Sequence, residues 1–490
     1  VSTIKNIKGQ LSAFTSSGNF KNSYWSLIEF AIYPLLMLIA TPFFIAKLGV
    51  EQLGVWMLIN SIIGSLGVLS GGFGDAAIKF ISKYRGRNDE EGIKRVVNAT
   101  YSLFFFISVC VFVFGYLVLF TEDHFSIFSS NIANRELIFK SLYVVVLLFV
   151  GRLIEQIILA IFRGFERYDI ASKFSIISKT SMLLVNILLA GMGFSLVQIF
   201  ISSTIITFVN LLFEIVWIKK FYKHIHFFPR FDRITIKEIS SFSIWSWLQT
   251  LSGIMFSQAD KFLVAYLAGL KVLAYYSIGF MVANQIHAMF SAMSSWLFPV
   301  IAKKVEQKSD IIEPYLKIQF FLITSAVFLI AILYVFRQFI FTKWLGDVTY
   351  ANSITFIEGF LYLEVFLIPF IVPFYYYNAA GFIKENTLFM VASNVAMLIF
   401  IYVFFQIQGH DGLIWGRLAG FFIVFAFWLY DIHTRLLKSY GLLRGIVAFM
   451  PSMIFMLFFS IHNLYLQIPL AALFLFFIWR LYRSALVEKV

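Results

Sequence analysis

The chain reads as an all-α polytopic membrane protein of about fourteen transmembrane helices. Composition is the first reason. Of 490 residues, 60% are hydrophobic and 13% are charged, where a soluble domain carries about 25% charged residues. Phenylalanine occurs 61 times and the mean hydropathy is +0.85, so lipid must solvate most side chains. Second, apolar runs of roughly 18–25 residues recur along the chain, each long enough to cross ~30 Å of hydrocarbon. Third, the basic residues gather between alternate runs and form no separate stripe.

The first run, 24–46, contains Pro34 and Pro42, two sites where a spanning helix can kink. The polar segment before it (VSTIKNIKGQLSAFTSSGNF) lacks an apolar core, so no cleaved signal peptide is expected and the first span should direct insertion. The second run, 53–74, has a small-residue face of Asn60, Gly64, Gly67, Gly71 and Gly74, which suits close helix packing. The third, 96–120, holds Cys110, the single cysteine. An intrachain disulfide is thereby excluded, and metal or thiol-redox chemistry is disfavoured. The fourth, 141–162, carries Arg152 and Glu155; the fifth and sixth are 174–192 and 196–218. Runs seven (242–267) and eight (272–301) carry polar stripes, and eight is long enough to be tilted or extended. The remaining runs are 318–341, 353–379, 387–407, 412–432, 444–462 and 465–482.

Charge sets the expected orientation. About 29 Lys and Arg residues fall on one side of the membrane against about six on the other. The net charge of +13 therefore reflects cytoplasmic loops rather than a nucleic-acid surface, and both termini are expected inside. No external loop exceeds roughly 20 residues, too few for a folded domain outside the bilayer. Glu122-Asp123-His124 lies in one such loop. A glycosyltransferase acid or metal motif would want a second acidic motif or a large loop beside it, so a solvated loop is the favoured reading.

The two halves resemble each other at a nearly constant offset. Gly164 of Arg163-Gly164-Phe165 and Gly381 of Ala380-Gly381-Phe382 are 217 residues apart, as are Glu214 and Asp431. FFIAKLGVEQLGVW also aligns with FLVAYLAGLKVLAYY after one extra residue. An even number of spans separates the copies, so the repeats are parallel, and transporters built this way keep substrate sites near the midplane. The expected organisation is a cytoplasmic segment 1–23, a first lobe 24–220, a cytoplasmic linker 221–241 and a second lobe 242–434. Two added spans and a cytoplasmic tail occupy 435–490.

The stretches TPFFIAKLGVEQLGVW, GGFGDAAIKFISKYRGRNDEEGIKRVV, FRGFERYDIASK, QADKFLVAYLAGLKVLAYYSIG and WLFPVIAKK carry a family resemblance. With the repeat, they resemble the multidrug/oligosaccharidyl-lipid/polysaccharide exporter superfamily, above all its polysaccharide transporter family with the Wzx-type O-antigen flippases. The resemblance implies two six-helix lobes around a central cavity, alternating access and two added C-terminal helices. It implies a flippase, not an enzyme, for undecaprenyl-pyrophosphate-linked oligosaccharide in the bacterial inner membrane. Implied partners are the polyprenyl-linked sugar, membrane lipid, and the polymerase and chain-length machinery of the same saccharide pathway, with no nucleic acid. No cofactor is implied beyond coupling to a proton or sodium gradient. Lipid II flippases and cation-coupled multidrug antiporters of the superfamily stay open as alternatives. A membrane polyprenyl-sugar transferase or O-antigen polymerase fits less well, because the external loops are short and the halves repeat.

No catalytic or metal constellation is expected. Charges inside lipid are costly and are candidates for function. Counting ~1.5 Å per residue places Arg152, Glu155 and Glu364 near the midplane. Arg152 and Glu155 share a face and serve either as a structural ion pair or as part of the substrate site. Gln249, Gly253, Ser257 and Asp260 line one face of span seven, and Ser277, Asn284, His287 and Ser291 one face of span eight. In the resembled family spans one, two, seven and eight border the cavity. Arg152, Lys261, Gln249, Asn284 and His287 are thus the candidate substrate-binding residues. Asp260 and Glu364 are the candidate cation-coupling residues, carried over by helix from the resembled antiporters. Glu29, Lys179, Glu214 and Asp431 fall within a turn or two of the cytoplasm, where anchoring or snorkelling is the favoured reading.

Overall fold

The computed structural model describes residues 18–67, 73–120, 132–222, 244–294, 297–307 and 311–435, all helices and short turns, with no strand among them. In chain order the first helices are α1 (Gly18–Leu48), α2 (Val50–Leu66), α3 (Phe73–Gly86), α4 (Glu90–Phe120), α5 (Ile132–Gly164), α6 (Tyr168–Gly191) and α7 (Leu196–Phe221). They are followed by α8 (Ile244–Ser294), α9 (Leu297–Glu306), α10 (Ile312–Val335), α11 (Arg337–Leu345), α12 (Asp347–Leu367), α13 (Ile371–Ala379), α14 (Ile383–Gln408) and α15 (His410–Arg435). Eight of the described segments are long and apolar enough to cross a membrane. One of them contains two helices that meet at Gly269, where a φ of 82° favours glycine. The chain is an all-α polytopic membrane protein. Predicted spans one to twelve overlap described helices, while 68–72 of span two, 242–243 of span seven and 295–296 of span eight lie outside the described residues. Spans thirteen and fourteen, most of the 221–241 linker and Glu122-Asp123-His124 lie outside the described residues.

Local sequence explains most breaks. Gly49 (φ 81°) separates α1 from α2, and Gly193 (φ 81°) precedes α7. The backbone N–H of Ser195 donates to Gln198 Oε1 at 2.8 Å, which satisfies a donor that the start of α7 would otherwise leave open. Predicted span ten is α12, a tight 3₁₀ turn over Ile368–Phe370, and α13. Pro369 sits in that turn, where it lacks the N–H an α-helix would use. Its carbonyl instead accepts from Gln319 Nε2 at 2.5 Å.

The chain packs as two compact units, one ending at Ala274 and the other beginning at Tyr275. In the first, α1 lies along α6, α5 lies between α4 and α7, and α6 also packs on α7. The first half of α8 belongs here too, because α2 approaches it through glycines. A Cβ on Gly54 would fall 2.0 Å from the Leu270 carbonyl oxygen, and one on Gly64 would meet the Gln258 side chain at 3.0 Å. In the second unit the tightest seam joins α14 to α15. Gly412, Gly416 and Gly420, four residues apart, bring α15 against the α14 backbone, where a Cβ would fall 2.1 Å from Phe404 O, 2.3 Å from Phe400 O and 2.5 Å from Met397 Cα.

Candidate functional site

The first unit holds a group of charges inside its helices. Arg152 of α5 donates through Nη1 to Glu155 Oε2 at 2.6 Å, and places Nη1 and Nη2 against Ser178 Oγ (3.4 Å) and Met182 Sδ (3.1 Å) of α6. One turn of helix, three residues, brings the two partners together, so the pair is local to α5. Nearer the end of α5, Arg163 Nη2 reaches across to both carboxylate oxygens of Glu29 on α1, at 3.0 and 3.3 Å. Ser172 Oγ of α6 donates to the same carboxylate at 2.7 Å. Lys179 of α6 lies within the electrostatic reach of Glu29, Glu155, Arg152 and Arg163. Glu214 of α7 is fully buried and faces Glu155 and Arg152.

Four helices thus contribute three carboxylates and three cations. The opposite-charge contacts Arg152–Glu155 and Arg163–Glu29 lower the cost of burying those four groups. Such a group can rearrange. A dianionic ligand can take a guanidinium or ammonium from its present carboxylate, and arginine's planar fork suits phosphate oxygens.

The other sequence candidates are distributed differently. Lys261 Nζ bonds Gln258 Oε1 at 3.3 Å, while its neighbour Asp260 is fully buried. Along the same predicted stripe Gln249 is half-buried and Gly253 faces open space, so the stripe does not share one environment. Asp260 belongs to the first unit and Glu364 to the second. Within the second unit the structure pairs two residues that the sequence assigned separate roles: His287 Nδ1 lies 3.0 Å from Glu364 Oε2. Asn284, one turn before His287, is exposed. Arg417 is almost fully buried, donating to Tyr276 OH at 3.1 Å with its guanidinium over the Phe280 and Phe360 rings, which ties α15 to α8 and α12.

Sequence reading missed the inward role of Glu29, Arg163, Lys179 and Glu214, having placed three of them as anchors near the cytoplasm. A signal was present. Ser172, Ser175 and Ser178 recur every three residues of α6, all buried, and mark a polar face that continues toward Lys179 and Met182.

Helices of this length, packed in two units that each bury charged side chains, define a multi-pass membrane protein. Comparison with known proteins then places the chain more closely. A family model described as "Polysaccharide biosynthesis protein" matches residues 92–352, more than half of the chain, and the chain belongs to that family. It is 23% identical over 438 residues to a Shigella flexneri protein named "Putative O-antigen transporter", covering 86% of this chain and 99% of the relative. Among solved structures it is similar to the lipid II flippase MurJ in an inward closed conformation, with a TM-score of 0.69, 15% identity, and coverage of 95% of this chain and 99% of MurJ. It is also similar to an inward-facing multidrug resistance MATE family transporter of the MOP superfamily, with a TM-score of 0.65, 20% identity, and coverage of 84% and 100%. These structural likenesses establish a shared fold. The chain is a multi-pass membrane protein of the polysaccharide biosynthesis family.

Proposed function

We propose that this protein is a flippase carrying undecaprenyl-pyrophosphate-linked oligosaccharide, an O-antigen repeat unit or a close equivalent, from the inner to the outer leaflet of the bacterial inner membrane. The observation that carries this reading is the charged group of the first unit, in a chain whose family and relative point to saccharide transport. A pyrophosphate must shed water to cross hydrocarbon, and Arg152, Arg163 and Lys179 offer replacement charge in that setting. The hydroxyls of Ser172, Ser175 and Ser178 and the side chains of Gln249 and Lys261 suit sugar hydroxyls in the first unit, and Asn284 and His287 are separate candidates in the second. No covalent step is needed, so the activity is transport and not enzymatic chemistry. Lipid II flipping is the second reading, favoured by the MurJ likeness, since that lipid carries the same pyrophosphate and would use the same cations.

The test is export of the surface saccharide in a strain whose own flippase has been deleted. Arg152→Lys should retain partial export, and Arg152→Ala should abolish it while also lowering abundance through the stranded Glu155. The Arg152→Ala/Glu155→Ala double variant should remain inactive. Rescue of export by the double variant would show that Arg152 only neutralises Glu155. A parallel assay in cells depleted of their lipid II flippase separates the two substrates.

With both termini cytoplasmic, as the basic-residue asymmetry predicts, the α11–α12 junction lies outside. In a Cys110→Ala background, Asp347→Cys should react with an impermeant thiol reagent in intact cells. Labelling only after the cells are broken would reverse the orientation.

A further inference from the structure

Glu214 faces Glu155 and Arg152 but, unlike the other carboxylates of the group, makes no hydrogen bond to the described residues. Both of its carboxylate oxygens are buried without a hydrogen-bond partner among the described residues. On the same face of α7, Leu211 three residues before and Ile218 four after belong to an apolar core with Leu153, Ile157 and Phe162 of α5.

The charges on the helices packed against α7 are engaged elsewhere. On α5, Arg152 is bonded to Glu155 and Arg163 to Glu29. On α6, Lys179 lies among Glu29, Arg152, Glu155 and Arg163; Asp169 is paired with Arg167, and Lys173 sits over the Trp25 ring.

The repeat supplies an internal control. Asp431, 217 residues on, accepts from Tyr377 OH at 2.6 Å and Arg435 Nε at 2.8 Å. The positions of the first unit that correspond to Tyr377 and Arg435 are Ala160 and Ile218, whose side chains donate nothing. One repeat therefore gives this carboxylate its partners, and the other surrounds it with hydrocarbon. A buried carboxylate with no hydrogen-bond donor, facing the Glu155 carboxylate while Arg152 is bonded to Glu155, is cheaper to hold neutral than ionised.

We propose that Glu214 is a proton-binding site of the first unit, protonated in the conformation described here and deprotonated when the helices rearrange during transport. This rests on the transport reading above. The step balances simply: the O–H bond breaks, the proton passes to water, and Arg152 can neutralise the new carboxylate after leaving Glu155. A metal cation is the poorer occupant, since hard cations take about six oxygen ligands and Leu211 and Ile218 supply none.

The experiment uses the full chain in lipid vesicles. Infrared difference spectra across a pH titration should show a protonated-carboxyl band in the wild type that Glu214→Gln removes. A band unchanged by Glu214→Gln would overturn the proposal. In vesicles loaded with lipid-linked oligosaccharide, an imposed pH gradient should accelerate flipping by the wild type. Both Glu214→Gln and Glu214→Leu should lose that response while keeping wild-type abundance. A full gradient response in either variant would also overturn the proposal. If the wild type flips no lipid-linked sugar, the transport reading fails, and the carboxyl band alone then decides whether Glu214 holds a proton.

Discussion

The two units differ most in what occupies their interiors. In the first, Arg152, Glu155, Arg163 and Lys179 bring charge onto α5 and α6. At the positions 217 residues later stand Pro369, Val372, Ala380 and Ala396. In their place the second unit packs rings: Phe370 lies against Phe421, Phe425 and Trp428, with centroids 4.4–5.6 Å apart. Pro369 also breaks the α12–α13 helix at the position matching Arg152. The helices at those positions of the second unit pack without these four charges, and that unit buries Arg417 and Glu364 elsewhere. The presence of the four in the first unit calls for a reason other than holding the fold, since apolar packing usually stabilises a core at least as well as buried ions.

That contrast can be broken by making the first unit more like the second. Removing one member of the ion pair has the largest expected effect on stability. Glu155→Val alone strands the Arg152 guanidinium and should destabilise by about 3–5 kcal/mol, seen as a lowered melting temperature in detergent. Arg152→Leu/Glu155→Val should recover most of that stability and remain inactive in export. A stable and active double variant would erase the distinction between the units.

The aromatic and glycine packing of the second unit gives the next effect. Gly416→Leu pushes a side chain into the α14 backbone and should cost about 1–3 kcal/mol, or prevent accumulation in the membrane. Tolerance of leucine there would mean that the α14–α15 seam is looser than described. Smaller again is the loss of a single hydrogen bond. Tyr377→Phe removes the donor to Asp431, while Arg435 still neutralises that carboxylate, so about 1 kcal/mol is expected by thermal melting. The smallest effect belongs to the exposed Lys94–Glu91 pair, where Lys94→Ala should leave melting unchanged.

The candidate site was partly legible. Arg152 and Glu155 are three residues apart on one helix, so their pairing follows from spacing alone. Glu364 was marked for its depth and His287 for its stripe, but nothing in a single sequence joins residues 77 positions apart. The same limit hid Arg163 and Glu29, which are 134 residues apart. The close spacing of Gly412, Gly416 and Gly420 could have been read as a packing face, as it was for span two.

Sequence by itself determined that the chain is helical and that it lies in a membrane. Those properties are set by length, hydropathy and turn residues within each segment, because lipid forces backbone hydrogen bonds to close inside the helix. Which charges meet was decided only by the tertiary structure. Depth counted along one span ranked Glu29, Lys179 and Glu214 as anchors near water. Packing α1, α5, α6 and α7 together instead gave Glu29 its partners, set Lys179 among the charges of α1 and α5, and left the carboxylate of Glu214 without a hydrogen bond to the described residues. The free energy of a buried charge depends on the groups within a few ångströms, and those groups arrive from other helices.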